Sequence, residues 1–169
     1  MQELSFLNDI LPLKNQLFRL ALRITLDRAE AEDVVQEALI KVWNKRDEWQ
    51  QLDSVEAYCL AVTRNLAIDY SERKGTQSVE LTSDAEQPDT TAGPHEQLVY
   101  EERMAWINRL MDRLPEKQRL AMQLRDIEGK NYKEIAMALG QTEEQVKVNI
   151  FRARQKIRKK LLEIENYGL

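Results

Sequence analysis

Apolar positions recur at helical spacing along most of the chain, and the breaks in that rhythm divide it. From Phe6 to Thr25 the residues Leu13, Leu17, Leu20, Ala21 and Ile24 fall on one side of a helix, and Pro12 suits its first turn, where a missing N–H costs nothing. Asp27 and Glu30 form a capping box that opens a second helix running to about Arg46. Its buried side is Val35, Ala38, Leu39 and Val42, with Trp43 close by, and its other side carries Asp33, Gln36, Glu37 and Ile40. Ser54 caps a third helix, from Val55 to about Lys74, with Tyr58, Cys59, Val62 and Leu66 apolar. Three helices of this length can share one small core.

Gly75 ends the periodicity, and TQSVELTSDAEQPDTTAGP follows: acidic, polar and rich in Thr, Ser, Asp and Pro, the composition of a flexible linker. Helical rhythm resumes after Pro94 and continues to about Leu114 through Leu98, Met104, Ile107, Leu110 and Met111. Pro115 begins a further helix through Leu120, Leu124 and Ile127 that ends at Gly129. The last stretch, NYKEIAMALGQTEEQVKVNIFRARQKIRKK, holds two helices and a tight turn. Asn131 caps the first with Glu134 three residues on, and Gly140 supplies the left-handed conformation that stops it. Thr142 and Gln145 form the next capping box, and Val146, Ile150, Ala153, Ile157 and Leu161 make one buried stripe. This is the pattern of a helix-turn-helix, whose second helix enters the DNA major groove. A helical hairpin with a solvated basic face is the plainer alternative.

The resulting expectation is an all-α chain of two small helical domains joined by a flexible acidic linker. The 169 residues, 43% hydrophobic and 32% charged, are enough for one domain or two small ones. A net charge of −4 argues against nucleic acid until its distribution is seen. From Thr76 to Glu102 there are seven acidic residues and no Lys or Arg, whereas from Lys147 to Lys160 there are seven basic residues and no acid. The local stripe decides phosphate binding, so the total misleads. Cys59 is the only cysteine and excludes an intrachain disulfide or a thiolate zinc site. The N-terminus MQELSFLNDILPL lacks signal-peptide features and no apolar run approaches a membrane span, so a cytoplasmic chain is expected.

Nothing points to catalysis, a metal, a cofactor or a small-molecule substrate: there is no Gly-rich phosphate loop, and the single histidine, His95, sits in a polar stretch. Three faces carry other chemistry. Asp33, Gln36 and Glu37 share a surface with Ile40, which suits either a solvated acidic face or docking of a basic partner helix. Arg64, Asn65, Asp69, Arg73 and Lys74 cluster on the third helix, where Asn65 can both donate to and accept from the edge of an unstacked base. Tyr58 and Trp49 could stack on such a base, with core packing the plainer role for each. On the last helix Val148, Phe151, Arg152 and Gln155 point away from the buried stripe, with Lys147 on the flank. Apolar side chains among cations make poor sense in water and good sense against thymine methyls, with Arg152 reading guanine or gripping phosphate. Lys156, Arg158, Lys159 and Lys160 lie further along, toward phosphates or water.

Taken in order, AEDVVQEALIKVWNK, RNLAIDYSERK and LPEKQRLAMQLRDIEGKNYKEIAMALGQTEEQVKVNIFRARQKIRKKL resemble a bacterial RNA polymerase sigma factor of the sigma-70 family, in its compact extracytoplasmic-function group. The resemblance implies sigma domain 2 over residues 1–75, a linker over 76–93 and sigma domain 4 over 94–169. It implies that Asp33, Val34, Val35, Gln36 and Glu37 dock on the β′ coiled coil of core RNA polymerase, whose β subunit is a further partner. Asn65, with Arg64, Arg73 and Lys74, would meet the promoter −10 element, and the stretch Trp49 to Glu56 would close over a flipped base. Lys147, Val148, Phe151 and Arg152 would read the −35 element. Val148-Asn149 stands where many relatives have Ser-Arg, so the −35 preference should differ from theirs. The implied activity is promoter-specific transcription initiation, under an anti-sigma factor that in this group is often membrane-bound. Two rivals remain: a helix-turn-helix regulator that binds duplex DNA without polymerase, and an interaction module whose basic helix meets an acidic protein.

Overall fold

A computed structural model describes residues 3–75 and 95–166. The linker expected over 76–93 lies outside them. Among the described residues every regular element is helical. Phe6–Ile10 and Leu11–Leu13 form two short turns ahead of α1 (Lys14–Thr25), with Pro12 in the first turn as its missing N–H requires. Leu26 then ends α1 in the left-handed region (φ 57°), a strained choice for a residue with a Cβ, and its N–H closes on Leu22 O. Asp27 caps α2 (Arg28–Asn44) by accepting from the Glu30 N–H at 3.0 Å. That helix stops two residues before Arg46, where a 3-10 turn over Arg46–Gln51 takes over. Ser54 accepts from the Ala57 N–H at 3.0 Å and opens α3 (Val55–Gly75).

The second half begins with α4 (His95–Asp112) and α5 (Glu116–Met122). The helix expected to run on to Gly129 relaxes into one π turn over Gln123–Ile127, which leaves Ile127 exposed. Both halves of the helix-turn-helix close as the capping residues dictate. Asn131 Oδ1 accepts from the Glu134 N–H at 2.8 Å to start α6 (Tyr132–Leu139), and Gly140 stops it at φ 65°. Thr142 and Gln145 then exchange side chain-to-backbone bonds at 3.1 and 3.0 Å, a complete capping box, at the start of α7 (Glu143–Asn166). The stripe on α7 is buried at Val146, Ile150, Ala153 and Ile157.

α1, α2 and α3 pack on one another around Leu17, Leu20, Val34, Val35, Ala38, Val42 and Leu60. α5, α6 and α7 form the second bundle, with α4 against α7, where Met111 shares a buried cluster with Ala153 and Ile157. The bundles also touch. α3 packs along α6, and one continuous buried cluster contains Leu60, Leu66 and Ala67 of α3 together with Ile135, Ala136 and Leu139 of α6. α3 is therefore buried on more than the Tyr58–Cys59–Val62–Leu66 side: Leu60, Thr63 and Ala67 are also out of water, and Thr63 returns its hydroxyl to the Cys59 carbonyl at 2.8 Å. Burial pushes the Cys59 thiol up to about 12, which makes it an inert core residue at neutral pH.

Candidate nucleic-acid and partner interfaces

Helix α2 presents the first surface. Because it buries Ala31, Val34, Val35, Ala38 and Val42, its 3.6-residue period turns Asp33, Gln36 and Ile40 outward, with Glu37 half-buried. Val34 and Val35 are 0% and 2% exposed. This corrects their place among the docking residues: they hold the helix to its core and cannot meet a partner. Ile40 is 60% exposed and Trp43, one turn on, 45%, so the apolar part of this face extends further than the DVVQE segment. Trp43 was expected near the core. Instead its ring lies edge-on to Phe6 at 5.6 Å and carries the Arg46 guanidinium at 4.5 Å from its centroid. Period alone could have found it, since 33, 36, 40 and 43 fall on one side.

Glu37 links this face to α3 by accepting from the Tyr70 hydroxyl at 3.2 Å. Burial first, then the Glu37 carboxylate, raises the Tyr70 phenol, so it stays a donor at neutral pH. On α3, Asn65 is exposed and accepts from Arg64 Nη1 at 3.1 Å, which leaves its amide free to turn outward. Arg73 lies 5.9 Å from the Tyr70 ring. Lys74 is held between Asp27 and Glu30 at 3.2 and 3.1 Å, so its charge is already shared with the start of α2. Asp27 sits below the usual carboxylate range, first through the Glu30 N–H and then through Lys74. Two aromatic candidates separate. Trp49 is 3% exposed and donates its indole N–H to the Val42 carbonyl at 2.9 Å, which removes it from any base-stacking role. Tyr58 is half-buried, and burial raises its phenol.

Helix α7 presents the third surface. Its buried stripe leaves Lys147, Val148, Phe151 and Arg152 facing out, with Val148 45% and Phe151 61% exposed. The structure brings these four together on adjoining turns. Two features of their support were not foreseen. The Tyr132 ring, in the first turn of α6, has the Lys147 ammonium at 5.3 Å and the Arg125 guanidinium at 4.6 Å from its centroid, so it steadies two cations beside the reading face. Asn149 donates to Gln141 Oε1 at 3.3 Å, tying α7 to the turn rather than pointing outward. Arg154 is spent on Asp126, at 3.0 Å from Nε and 2.5 Å from Nη2, and that bond raises its pKa further. The signal for Tyr132 was an aromatic inside a capping sequence, which period and charge do not separate from a core residue.

The family description Sigma-70 region 2 matches residues 10–76, and Sigma-70, region 4 matches residues 104–157. The chain is 32% identical over 146 residues to the ECF RNA polymerase sigma factor SigE of Mycolicibacterium smegmatis, covering 85% of this chain and 56% of that protein. It is 31% identical over 154 residues to the probable RNA polymerase sigma factor RfaY of Xanthomonas campestris, covering 89% of this chain and 38% of that one. The chain thus spans less than two thirds of the length of either relative. In fold it is similar to the sigma factor RpoE of Bartonella quintana, solved in complex with the anti-sigma factor NepR, at a TM-score of 0.74 and 23% identity over 94% of this chain and 97% of that one. With regions 2 and 4 matched in order on the two helical bundles, the chain belongs to the sigma-70 family.

Proposed function

We propose that this protein is a promoter-specific initiation factor that joins core RNA polymerase and directs it to −10 and −35 elements, with no catalytic step of its own. One observation carries the reading most. The two bundles that match regions 2 and 4 expose apolar residues set in charges of opposite sign: Ile40 beside Asp33, Gln36 and Glu37, and Val148 and Phe151 beside Lys147 and Arg152. The first suits a basic partner helix, the β′ coiled coil in this family. The second suits the major groove, with methyl contacts from Val148 and Phe151 and cation contacts from Lys147 and Arg152.

Asn65 and Arg64 are the candidates for an unpaired −10 base, with Arg73 beside them, while Lys74 acts mainly by fastening α3 to α2. Captured bases must return the few kcal/mol that unstacking costs. On this reading residues 1–75 are the polymerase and −10 unit, 94–169 the −35 unit, and 76–93 connects them. The β subunit and an anti-sigma factor are the further partners, the latter in keeping with the complex known for the Bartonella relative. Transcription in vitro with core polymerase on a pooled promoter library tests the proposal. A common −10/−35 pair should emerge among the active templates, and Asp33→Arg should abolish core binding. Absence of promoter-specific transcripts, with duplex binding by a dimer in the absence of core, would instead identify a helix-turn-helix regulator.

A further inference from the structure

Two residues near the end of α3 reach across to α2. Tyr70 donates its hydroxyl to Glu37 Oε2 at 3.2 Å. Lys74, one turn further and so on the same side of α3, stands 3.2 Å from Asp27 Oδ2 and 3.1 Å from Glu30 Oε1. Glu30 and Glu37 lie two turns apart on α2, and Asp33 and Gln36 are exposed between them. α3 thus lays two polar rungs against α2, one at each end of the segment that carries the outward acids.

The rungs differ in charge. Lys74 is a cation and shares its charge with the start of α2. Tyr70 is neutral: burial first, then the Glu37 and Asp33 carboxylates, raise its phenol, so it stays a protonated donor among the acids of that face. The Glu37 carboxylate is half-buried, and a carboxylate withdrawn from water is unfavourable unless a donor meets it. A Lys or Arg in the place of Tyr70 would supply that donor but cancel the negative charge. A phenol supplies it and leaves the charge for a partner. Packing against α2 asks only for the ring, which a phenylalanine would provide as well, so the hydroxyl has a use that packing does not explain.

We propose that Tyr70 is a positioning residue for polymerase docking, its hydroxyl holding the Glu37 carboxylate toward a basic partner helix without neutralising it. The inference rests on the initiation-factor reading above. It adds a residue of the helix that carries Asn65, acting on the docking face through Glu37 and touching no partner itself.

Surface plasmon resonance of the full chain over immobilised core polymerase tests this. Tyr70→Phe should weaken core binding by about three- to tenfold, with helix content by circular dichroism and affinity for −35 duplex unchanged. In a Glu37→Ala background, itself weakened, the same substitution should cost nothing more. A role in packing alone would cost the same with or without Glu37, and that outcome would overturn the proposal. So would a loss confined to single-stranded −10 DNA binding by the preformed complex with core, which would put Tyr70 in the service of Arg73, 5.9 Å from its ring. Unchanged core affinity in Tyr70→Phe would overturn the positioning role and leave the initiation-factor reading intact. If the unsubstituted chain does not bind core polymerase, that reading falls and the positioning role falls with it.

Discussion

Helices α2 and α7 each leave large apolar side chains in water, but beside charges of opposite sign. Ile40 on α2 sits with Asp33, Gln36 and Glu37, with Trp43 one turn on under the Arg46 guanidinium, whereas Val148 and Phe151 on α7 sit with Lys147 and Arg152. The apolar atoms are alike in kind, so they cannot by themselves say whether protein or DNA covers them. On the proposed function, the sign of the charge beside them does. An acidic collar repels phosphate and attracts a basic helix, while a basic collar favours the polyanion whose grooves carry thymine methyls. The supports differ too. Glu37 is held by Tyr70 from α3, so the α2 face is braced from its own bundle, and Lys147 is held by Tyr132 across the helix-turn-helix.

The contrast can be broken most sharply at Phe151. Phe151→Asp places a carboxylate against the phosphates and should cost about 3 kcal/mol of duplex affinity in a fluorescence-anisotropy titration, with core binding unchanged. Next in size is Ile40→Ala, which should weaken core binding by about 1–2 kcal/mol and leave −35 duplex binding alone. Equal losses for both ligands in either variant would mean that the two faces are not separate. Lys147→Ala sharpens the comparison further. It should lower duplex affinity by about 1 kcal/mol at low salt and reduce the slope of log K against log salt by about 1, whereas Lys41→Ala on the α2 side should leave that slope where it was.

The smallest expected effect concerns stability. Asp27 has its pKa lowered in the fold, so it stabilises the native state above its ordinary value near 3.8, and this contribution is lost as the pH falls through the lower, folded value. Thermal melts of the native chain should therefore weaken more steeply below about pH 4 than those of Asp27→Asn. Lys74 stays charged throughout that window, so the loss reports the carboxylate alone.

Much of the local structure was legible because its causes are local. Asn131, Gly140, Thr142 and Gln145 act within four residues of themselves, and all four cap or stop helices as their chemistry requires. The spacing of Val146, Ile150, Ala153 and Ile157 needs only the helical period to become a buried stripe, and the same period turned Phe151 outward. The exposed faces of α2 and α7 followed for that reason. Val34 and Val35 mark where a motif misleads: five consecutive residues of a helix cannot all face one partner, and two of the DVVQE segment are core.

What the sequence by itself determined, then, is the set of helices, their caps, and the two charge-collared faces, since each depends on neighbours within a turn or two. Only the tertiary structure decided which residues answer one another over long separations. Arg19 and Glu128 are 109 positions apart, and Arg23 and Gln123 are 100. Neither pairing leaves a periodic trace, because an arginine on α1 reads as an ordinary surface cation until a buried carboxylate from the other bundle is placed against it. The second buried side of α3 was invisible for the same reason: a helix pressed from two directions loses the one-sided pattern by which amphipathic helices are recognised.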